Sequence, residues 1–160
     1  MKIRTGTGLD VHRFETGRNF YLGGVLIPYH SGLAGHSDAD ALIHAIMDAL
    51  LGAAGLNDIG YYFPDSDPQY KNIRSTVLLE KVNQLILQNN FTIGNIDTVV
   101  CLQEPKIAPN IADMKKVISG ILQIPAEDIS IKATTFEHMG FVGEKEGILC
   151  VANVLVMKQD

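Results

Sequence analysis

Asp10-Val11-His12 sets a carboxylate and an imidazole two residues apart, and His36-Ser37-Asp38-Ala39-Asp40 leads on to a second imidazole at His44. On a strand, residues i and i+2 project to one face, so Asp10 and His12 would converge while Val11 enters the opposite layer. His44 lies one helical turn after Asp40 and one before Asp48, so a helix puts all three on a shared face. Asp10, His12 and His44 are oxygen and nitrogen donors suited to zinc. Three protein ligands leave a fourth tetrahedral position open, the pattern of catalytic rather than structural zinc. Asp40 or Asp48 would orient His44 through its other ring nitrogen. Taken singly, each group has a plainer reading: polar residues at a strand end, or a histidine packed in a helix. Together they favour metal chemistry.

Further segments could hold a ligand. His36, Ser37 and Asp38 fall where a helix should start, and unpaired backbone N–H groups there favour a phosphate; Ser37 either caps that helix or binds ligand. Asp58-Ile59-Gly60, with Phe63-Pro64-Asp65-Ser66-Asp67-Pro68, reads as a loop that is either a solvated turn or a ligand contact. Gln103-Glu104-Pro105-Lys106-Ile107-Ala108-Pro109 leaves a strand and enters a helix, stiffened by prolines; fixed backbone groups of that kind suit a flat heterocycle. Lys132-Ala133-Thr134-Thr135-Phe136-Glu137 ends a strand with two hydroxyls, an amine and a carboxylate. These can donate to phosphate oxygens and hold a second, harder cation, although threonines in strands are also there for β propensity. Neither a P-loop nor a dinucleotide fingerprint is present: Thr5-Gly6-Thr7-Gly8 lacks the third glycine and the following helix.

Positioning these groups takes regular elements. Ile3–Arg13, with Gly and Thr between spaced apolar residues, reads as a strand. Phe20–Pro28, with Gly23-Gly24 between apolar runs, reads as a hairpin or bulged strand. From Asp38 to about Ala54, the residues Leu42, Ile43, Ile46, Met47, Leu50 and Leu51 recur at helical spacing; Ser37 or Asp38 would cap this helix and Gly55 would stop it. Asn57–Tyr70 is acidic, proline-bearing and too irregular for an element. A second helix is predicted over Ser75–Asn90, burying Val77, Leu78, Val82, Leu85 and Ile86. Asn95–Leu102 is a strand, Pro109–Leu122 a helix with Pro in its first turn, and Asp128–Thr134 and Ile148–Met157 two more strands. His138-Met139-Gly140-Phe141-Val142-Gly143 reads as an irregular turn. The mixture without strict alternation predicts an α+β fold, a mixed sheet of about four main strands with helices on one face.

At 160 residues, without repeat or linker, the chain is one domain's worth. Its 46% hydrophobic and 19% charged residues exclude a disordered chain. Two cysteines, Cys101 and Cys150, each in an apolar run, exclude a disulfide framework or a cysteine zinc site and read as reduced core thiols. No apolar run has the ~18 residues of a membrane span, and Met1–Phe14 lacks a signal-peptide core, so a cytoplasmic location is expected, or an organelle stroma or lumen in a eukaryote. A net charge of −5 without a Lys/Arg run argues against nucleic acid as a partner. A polyanionic small molecule would then need something other than net charge to neutralise it.

Asp10-Val11-His12, His36-Ser37-Asp38-Ala39-Asp40 with His44, Asp58-Ile59-Gly60 with Phe63-Pro64-Asp65, Pro105-Lys106, and Lys132-Ala133-Thr134-Thr135 with Glu137 and Gly140-Phe141 stand in an order and spacing that resembles the 2-C-methyl-D-erythritol 2,4-cyclodiphosphate synthase family of the non-mevalonate isoprenoid pathway. Five motifs in register span essentially the whole chain, residues 1–160. The resemblance implies a lyase that cyclises 4-diphosphocytidyl-2-C-methyl-D-erythritol 2-phosphate: its 2-phosphate attacks the β-phosphorus and CMP leaves. It implies zinc on Asp10, His12 and His44, and magnesium or manganese on Glu137 bridging the substrate diphosphate. By the same resemblance His36 and Thr135 stabilise the transition state, and Asp10, His12, His36, Ser37 and Glu137 touch substrate. Asp58, Ile59 and Gly60 with Phe63, Pro64, Asp65, Ser66 and Asp67 hold the sugar and methylerythritol. Leu102, Gln103, Glu104, Pro105, Lys106, Ile107 and Ala108, with Thr134, surround cytosine and the nearby phosphates, and Phe136 and Phe141 complete the substrate contacts. Family members are homotrimers, sheets facing the three-fold axis, with active sites between subunits.

One position departs from the family pattern. Glu144 follows Gly140-Phe141-Val142-Gly143 where many members have an arginine that contacts diphosphate at the trimer's central cavity or substrate; an acid repels that group, which weighs against isoprenoid diphosphate on the axis. Two other readings fit the same residues: a zinc phosphohydrolase, whose open zinc position holds the attacking water, and a non-catalytic module that binds cytidine nucleotide or isoprenoid diphosphate.

Overall fold

In the computed structural model, which describes residues 2–159, exposure alternates residue by residue along the first strand, giving it two unlike faces. The chain runs β1 (Lys2–Thr16), β2 (Phe20–Leu22), β3 (Val25–Ile27), β4 (Ser31–Leu33), α1 (Ala41–Ala54), α2 (Ile59–Tyr62), α3 (Ser75–Gln88), β5 (Phe91–Cys101), α4 (Ile111–Leu122), β6 (Ile129–Thr134), α5 (Gly140–Gly143) and β7 (Gly147–Lys158). Five strands form one sheet in the order β4-β1-β7-β5-β6, antiparallel except for β5 beside β6, and β2 with β3 forms a separate hairpin. The α+β expectation holds, with β4 as a short additional edge to the four main strands. Asp10 pairs with Cys150 and His12 with Ile148, so both chemical residues lie where β1 rests on the central strand β7.

The even-numbered face of β1 receives α1. A Cβ on Gly8 would stand 1.9 Å from the Ala45 carbonyl oxygen, and one on Gly6 would stand 2.0 Å from that of Ala49. The helix backbone therefore lies directly on the strand, which only glycines below and Ala45, Ala49 and Ala53 above permit. Every residue of α1 except Asp48 and Gly52 is buried, and Gly55 ends the helix in the left-handed conformation at φ 76°. Full burial of a Leu or Ile is worth roughly 1.5–3 kcal/mol, so Leu42, Ile43, Ile46, Leu50 and Leu51 make α1 the best-anchored part of the molecule. Cys101 and Cys150 are buried and unbridged, and burial raises both thiol pKa values.

Several boundaries differ from the sequence-based expectation. The cap of α1 is Asp40, not Ser37 or Asp38: its side chain accepts from Ile43 N–H. Asn57–Tyr70 contains α2, capped by Asp58, and a short 3-10 turn at Pro68–Tyr70, capped by Asp67. Pro109 belongs to a 3-10 turn ahead of α4. Val77 is exposed on α3, whose buried side is formed by Leu78, Leu79, Val82 and Ile86. The turn at Gly140–Gly143 is one turn of helix.

Among the described residues, the other sheet face is left uncovered. Leu9 pairs with Val151 and Val11 with Leu149, while Val99 adjoins Val151, so an apolar strip crosses it. Leu9 and Val11 are exposed, and the strip is bordered by the Thr7–Asn153 hydrogen bond and the Lys132–Asp97 ion pair. No helix among the described residues is long and apolar enough to cross a membrane.

Candidate functional site

Because α1 lies on β1 without intervening side chains, His44 reaches the strand. Asp10 Oδ2 stands 2.9 Å from His12 Nε2 and 3.1 Å from His44 Nδ1, and the two nitrogens are 3.3 Å apart. A tetrahedral zinc with bonds near 2.0–2.1 Å has ligand–ligand edges of about 3.3 Å, so the three atoms have the spacing of a cation's ligand set. They are the one group of three or more acidic, His or Cys side chains so clustered among the described residues. Each ring's other nitrogen is engaged. His12 Nδ1 lies 2.6 Å from the Ala34 carbonyl, to which it can only donate, leaving a lone pair on Nε2. His44 Nε2 lies 2.9 Å from Ser75 Oγ and 3.3 Å from Ser37 Oγ. Burial raises the pKa of Asp10, but hydrogen bonds and charge from His12 and His44 outweigh it and hold the carboxyl well below the usual range. Burial likewise disfavours charge on His12, yet Asp10 and the Ala34 carbonyl raise its pKa.

The expected partners of His44 are occupied elsewhere. Asp40, fully buried, accepts from Gly23 N–H, Gly24 N–H and Ile43 N–H, joining the β2–β3 turn to the start of α1. Burial and the nearby Asp38 charge raise its pKa against those donors. Asp48 accepts from Ile59 N–H at 2.8 Å, and burial raises its pKa. The nearest partner of His44 Nε2 is Ser75, 31 residues away at the start of α3, a spacing in which no sequence motif could be read. The helix N-terminus also differs from expectation: Asp40 takes its Ile43 donor, so His36 and Ser37 lie in the loop ahead of it.

A cavity of about 290 Å³ opens over the triad. Asp10, His12, His36, Ser37, His44, Ile59, Gly60, Phe63 and Asp65 line it, together with Gly35, Tyr70 and Leu78, which the motifs did not single out. His36 Nε2 is buried without a hydrogen-bond partner, an exception among buried polar atoms that a bound ligand would satisfy. Asp58, Pro64, Ser66 and Asp67 are not among its lining residues; the Asp58 and Asp67 side chains cap local turns instead.

A second cavity, about 220 Å³, lies at the ends of β5 and β6. It is lined by Leu102, Gln103, Pro105, Lys106, Ile107, Ala108, Ala133, Thr134 and Thr135. Glu104 faces away from it, bonded to Lys145 Nζ at 2.9 Å and receiving the Tyr29 hydroxyl at 3.4 Å; the hydrogen bond from Lys145 lowers its pKa. Lys132, read as a phosphate donor, is held by Asp97. Thr135 Oγ1 donates to Glu137 Oε1 at 2.7 Å. Glu137 and His138 both adopt positive φ, 52° and 62°, a local strain of a kind that clusters at ligand-binding segments. Phe136 and Glu137 line none of the described cavities. Phe141 lines a third, open one of about 940 Å³ that adjoins the triad through His12 and Gly35 and also includes Val11, Phe14 and Glu146, and Glu144 stands exposed at the end of α5. One chain thus carries two separate groups of site residues, one over the triad and one at the strand ends.

A sequence model described as the YgbB family matches residues 3–157. A protein named 2-C-methyl-D-erythritol 2,4-cyclodiphosphate synthase from Bacteroides fragilis is 52% identical over 156 residues, covering 98% of each chain. Among solved structures, the bifunctional IspDF from Campylobacter jejuni superposes with a TM-score of 0.95 at 41% identity; the match covers 99% of this chain and 43% of that longer one. A CDP complex of IspF from Plasmodium falciparum gives a TM-score of 0.87 at 37% identity, over 99% of this chain and 97% of that one.

Proposed function

The chain belongs to the YgbB family, and on that premise we propose that the cavity over Asp10, His12 and His44 is its reaction centre. The activity is that of a cyclodiphosphate synthase of isoprenoid precursor synthesis, a lyase that forms 2-C-methyl-D-erythritol 2,4-cyclodiphosphate and releases CMP. The substrate, 4-diphosphocytidyl-2-C-methyl-D-erythritol 2-phosphate, holds nucleophile and electrophile in one molecule. An oxygen of the 2-phosphate bonds to the β-phosphorus while the bond to the α-phosphate oxygen breaks, so positioning and charge stabilisation are the whole task and no base is required.

The observation that carries this reading is the convergence of one carboxylate oxygen and two imidazole lone pairs at 2.9, 3.1 and 3.3 Å. Asp10, His12 and His44 would hold zinc, and the exposed carboxylate of Glu137, a hard oxygen donor, fits magnesium or manganese completed by phosphate oxygens. Such cations, when bound, polarise the phosphorus and reverse the local field of an acidic protein. His36 Nε2, otherwise unpartnered, and the Ser37 hydroxyl would bond phosphate oxygens beside the triad. The Thr135 hydroxyl would do so from the strand ends. Ile59, Gly60, Phe63 and Asp65 would enclose the methylerythritol. The CDP complex of the Plasmodium falciparum relative supports a substrate with a cytidine diphosphate portion, and backbone groups of Leu102–Ala108, with Lys106 and Thr134 at the strand-end cavity, would take its cytidine end. Phe141, which shares a cavity with His12 and Gly35, would contact substrate from beside the triad, whereas Asp58, Pro64, Ser66, Asp67, Glu104 and Phe136 line none of the three cavities.

Because the triad and the strand ends form separate cavities, a complete site would pair the triad of one subunit with the strand ends of a neighbour. The uncovered apolar strip on the sheet supports a homotrimer built on that face, with residues 1–160 as one synthase domain. The test is product analysis in H2(18)O with the metal-loaded chain. CMP and cyclic diphosphate free of the heavy isotope are expected; a linear product carrying it would instead identify a phosphohydrolase.

A further inference from the structure

The proton on His44 Nε2 is assigned by its neighbours. The Asp38 carboxylate receives Ser75 N–H and Arg74 Nε–H, both at 3.0 Å, Asp40 N–H at 3.3 Å, and the Ser75 hydroxyl at close range. A hydroxyl has one proton, and Ser75 gives it to Asp38, so Ser75 Oγ can only accept from His44 Nε2–H, 2.9 Å away. A neutral His44 is then left with its lone pair on Nδ1, the atom facing Asp10 and His12. Arg74, in turn, is fixed by its bond to the Gly24 carbonyl at 3.0 Å and by stacking 3.9 Å from the centre of the Tyr21 ring. Ser75 is fully buried and Asp38 nearly so, so water does not compete for these bonds.

We propose that Ser75, held by Asp38 and Arg74, is a positioning residue of the metal centre, fixing the ring and the tautomer of His44. Helix α3 and the β2–β3 hairpin thereby set a ligand that belongs to α1. This rests on the triad being a cation site, and the experiment separates the two.

Metal-stripped native chain, Ser75→Ala and Asp38→Asn are titrated with Zn2+ against a competing chelator. Circular dichroism follows the fold and Co2+ absorption follows the coordination. The native chain should bind one equivalent at the triad. Ser75→Ala should keep its fold, bind Zn2+ ~10–100-fold more weakly, and show an altered Co2+ spectrum, because the His44 ring is no longer fixed. Half-maximal activity should need correspondingly more metal, while kcat at saturating metal largely recovers. Asp38→Asn, which touches no ligand, should weaken binding in the same direction by releasing the Ser75 hydroxyl. A folded Ser75→Ala with native affinity and native spectrum overturns the assignment; if that variant does not fold, the same result in Asp38→Asn does so. A native chain that binds no Zn2+ at the triad removes the metal centre itself, and this inference with it.

Discussion

The two groups of site residues are built to opposite standards. At the triad, every ring nitrogen of His12 and His44 has a partner, and the ligand atoms come from β1, inside the sheet, and a buried helix whose backbone touches that strand. At the strand ends, Thr134, Thr135, Glu137 and His138 are exposed, bonded mainly to one another, and pass through two consecutive left-handed residues. A centre that must hold a cation gains from preorganisation within one chain. The strand-end half is left open, as the proposed entry of a nucleotide and a second wall from a neighbouring subunit would require.

That contrast can be broken most directly at the triad. His12→Ala removes a ligand outright, and cyclase turnover should fall at least ~1,000-fold, or roughly 4 kcal/mol of transition-state stabilisation, in an assay of CMP release. Near-native turnover would remove the distinction between the halves. Gly8→Ala probes the close helix–strand contact: its Cβ meets the Ala45 carbonyl at 1.9 Å, and thermal or urea unfolding should show a loss of about 3 kcal/mol. A loss below about 0.5 kcal/mol, the range of ordinary surface changes, would mean the contact is not needed.

The open half should respond in activity without responding in stability. Thr135→Val should lower turnover about tenfold while leaving the unfolding midpoint essentially unchanged, as suits an exposed side chain. If a shared site is right, unfolding and reassembling His12→Ala with Thr135→Val in equal amounts should restore activity to about a quarter of native, since one in four interfaces pairs two intact halves in random mixing. No gain over the separate variants would place both halves of each site in one subunit.

The smallest expected effect is on pH. His12 in the metal-free chain has a raised pKa, so its pairing with Asp10 stabilises the fold fully below about pH 6.5 and is lost as pH rises through the folded value. The stability margin of metal-free native chain over metal-free His12→Ala should therefore shrink from acid to alkaline pH. Metal affinity should run the other way, because binding displaces that proton. Parallel trends would contradict the assignment of Nε2 as a ligand.

Local pattern made the framework legible. Alternation along Ile3–Arg13, helical spacing through Leu51 and the stop at Gly55 all reappear in the structure, and the Asp10, His12 and His44 trio follows from strand and helix periodicity. Pairing over long distance was not legible. Ser75 beside His44 and Arg74 beside Asp38 join segments more than thirty residues apart, and nothing in Ser75 as a helix-start serine marks it. Spacing offers Asp40 or Asp48 to His44 because it gives a shared face but not which acceptors backbone donors already claim. Val77 is exposed for a related reason: it satisfies the period of α3 on a side to which no element packs.

The central claim is that β1 and α1 together present three ligand atoms to one cation and leave a fourth position for the substrate. Anomalous diffraction at the zinc edge, from crystals of metal-loaded chain, tests it directly. One peak is expected about 2.0–2.2 Å from Asp10 Oδ2, His12 Nε2 and His44 Nδ1, with its fourth ligand not from the protein. A peak elsewhere, or one closed by four protein ligands, would contradict it.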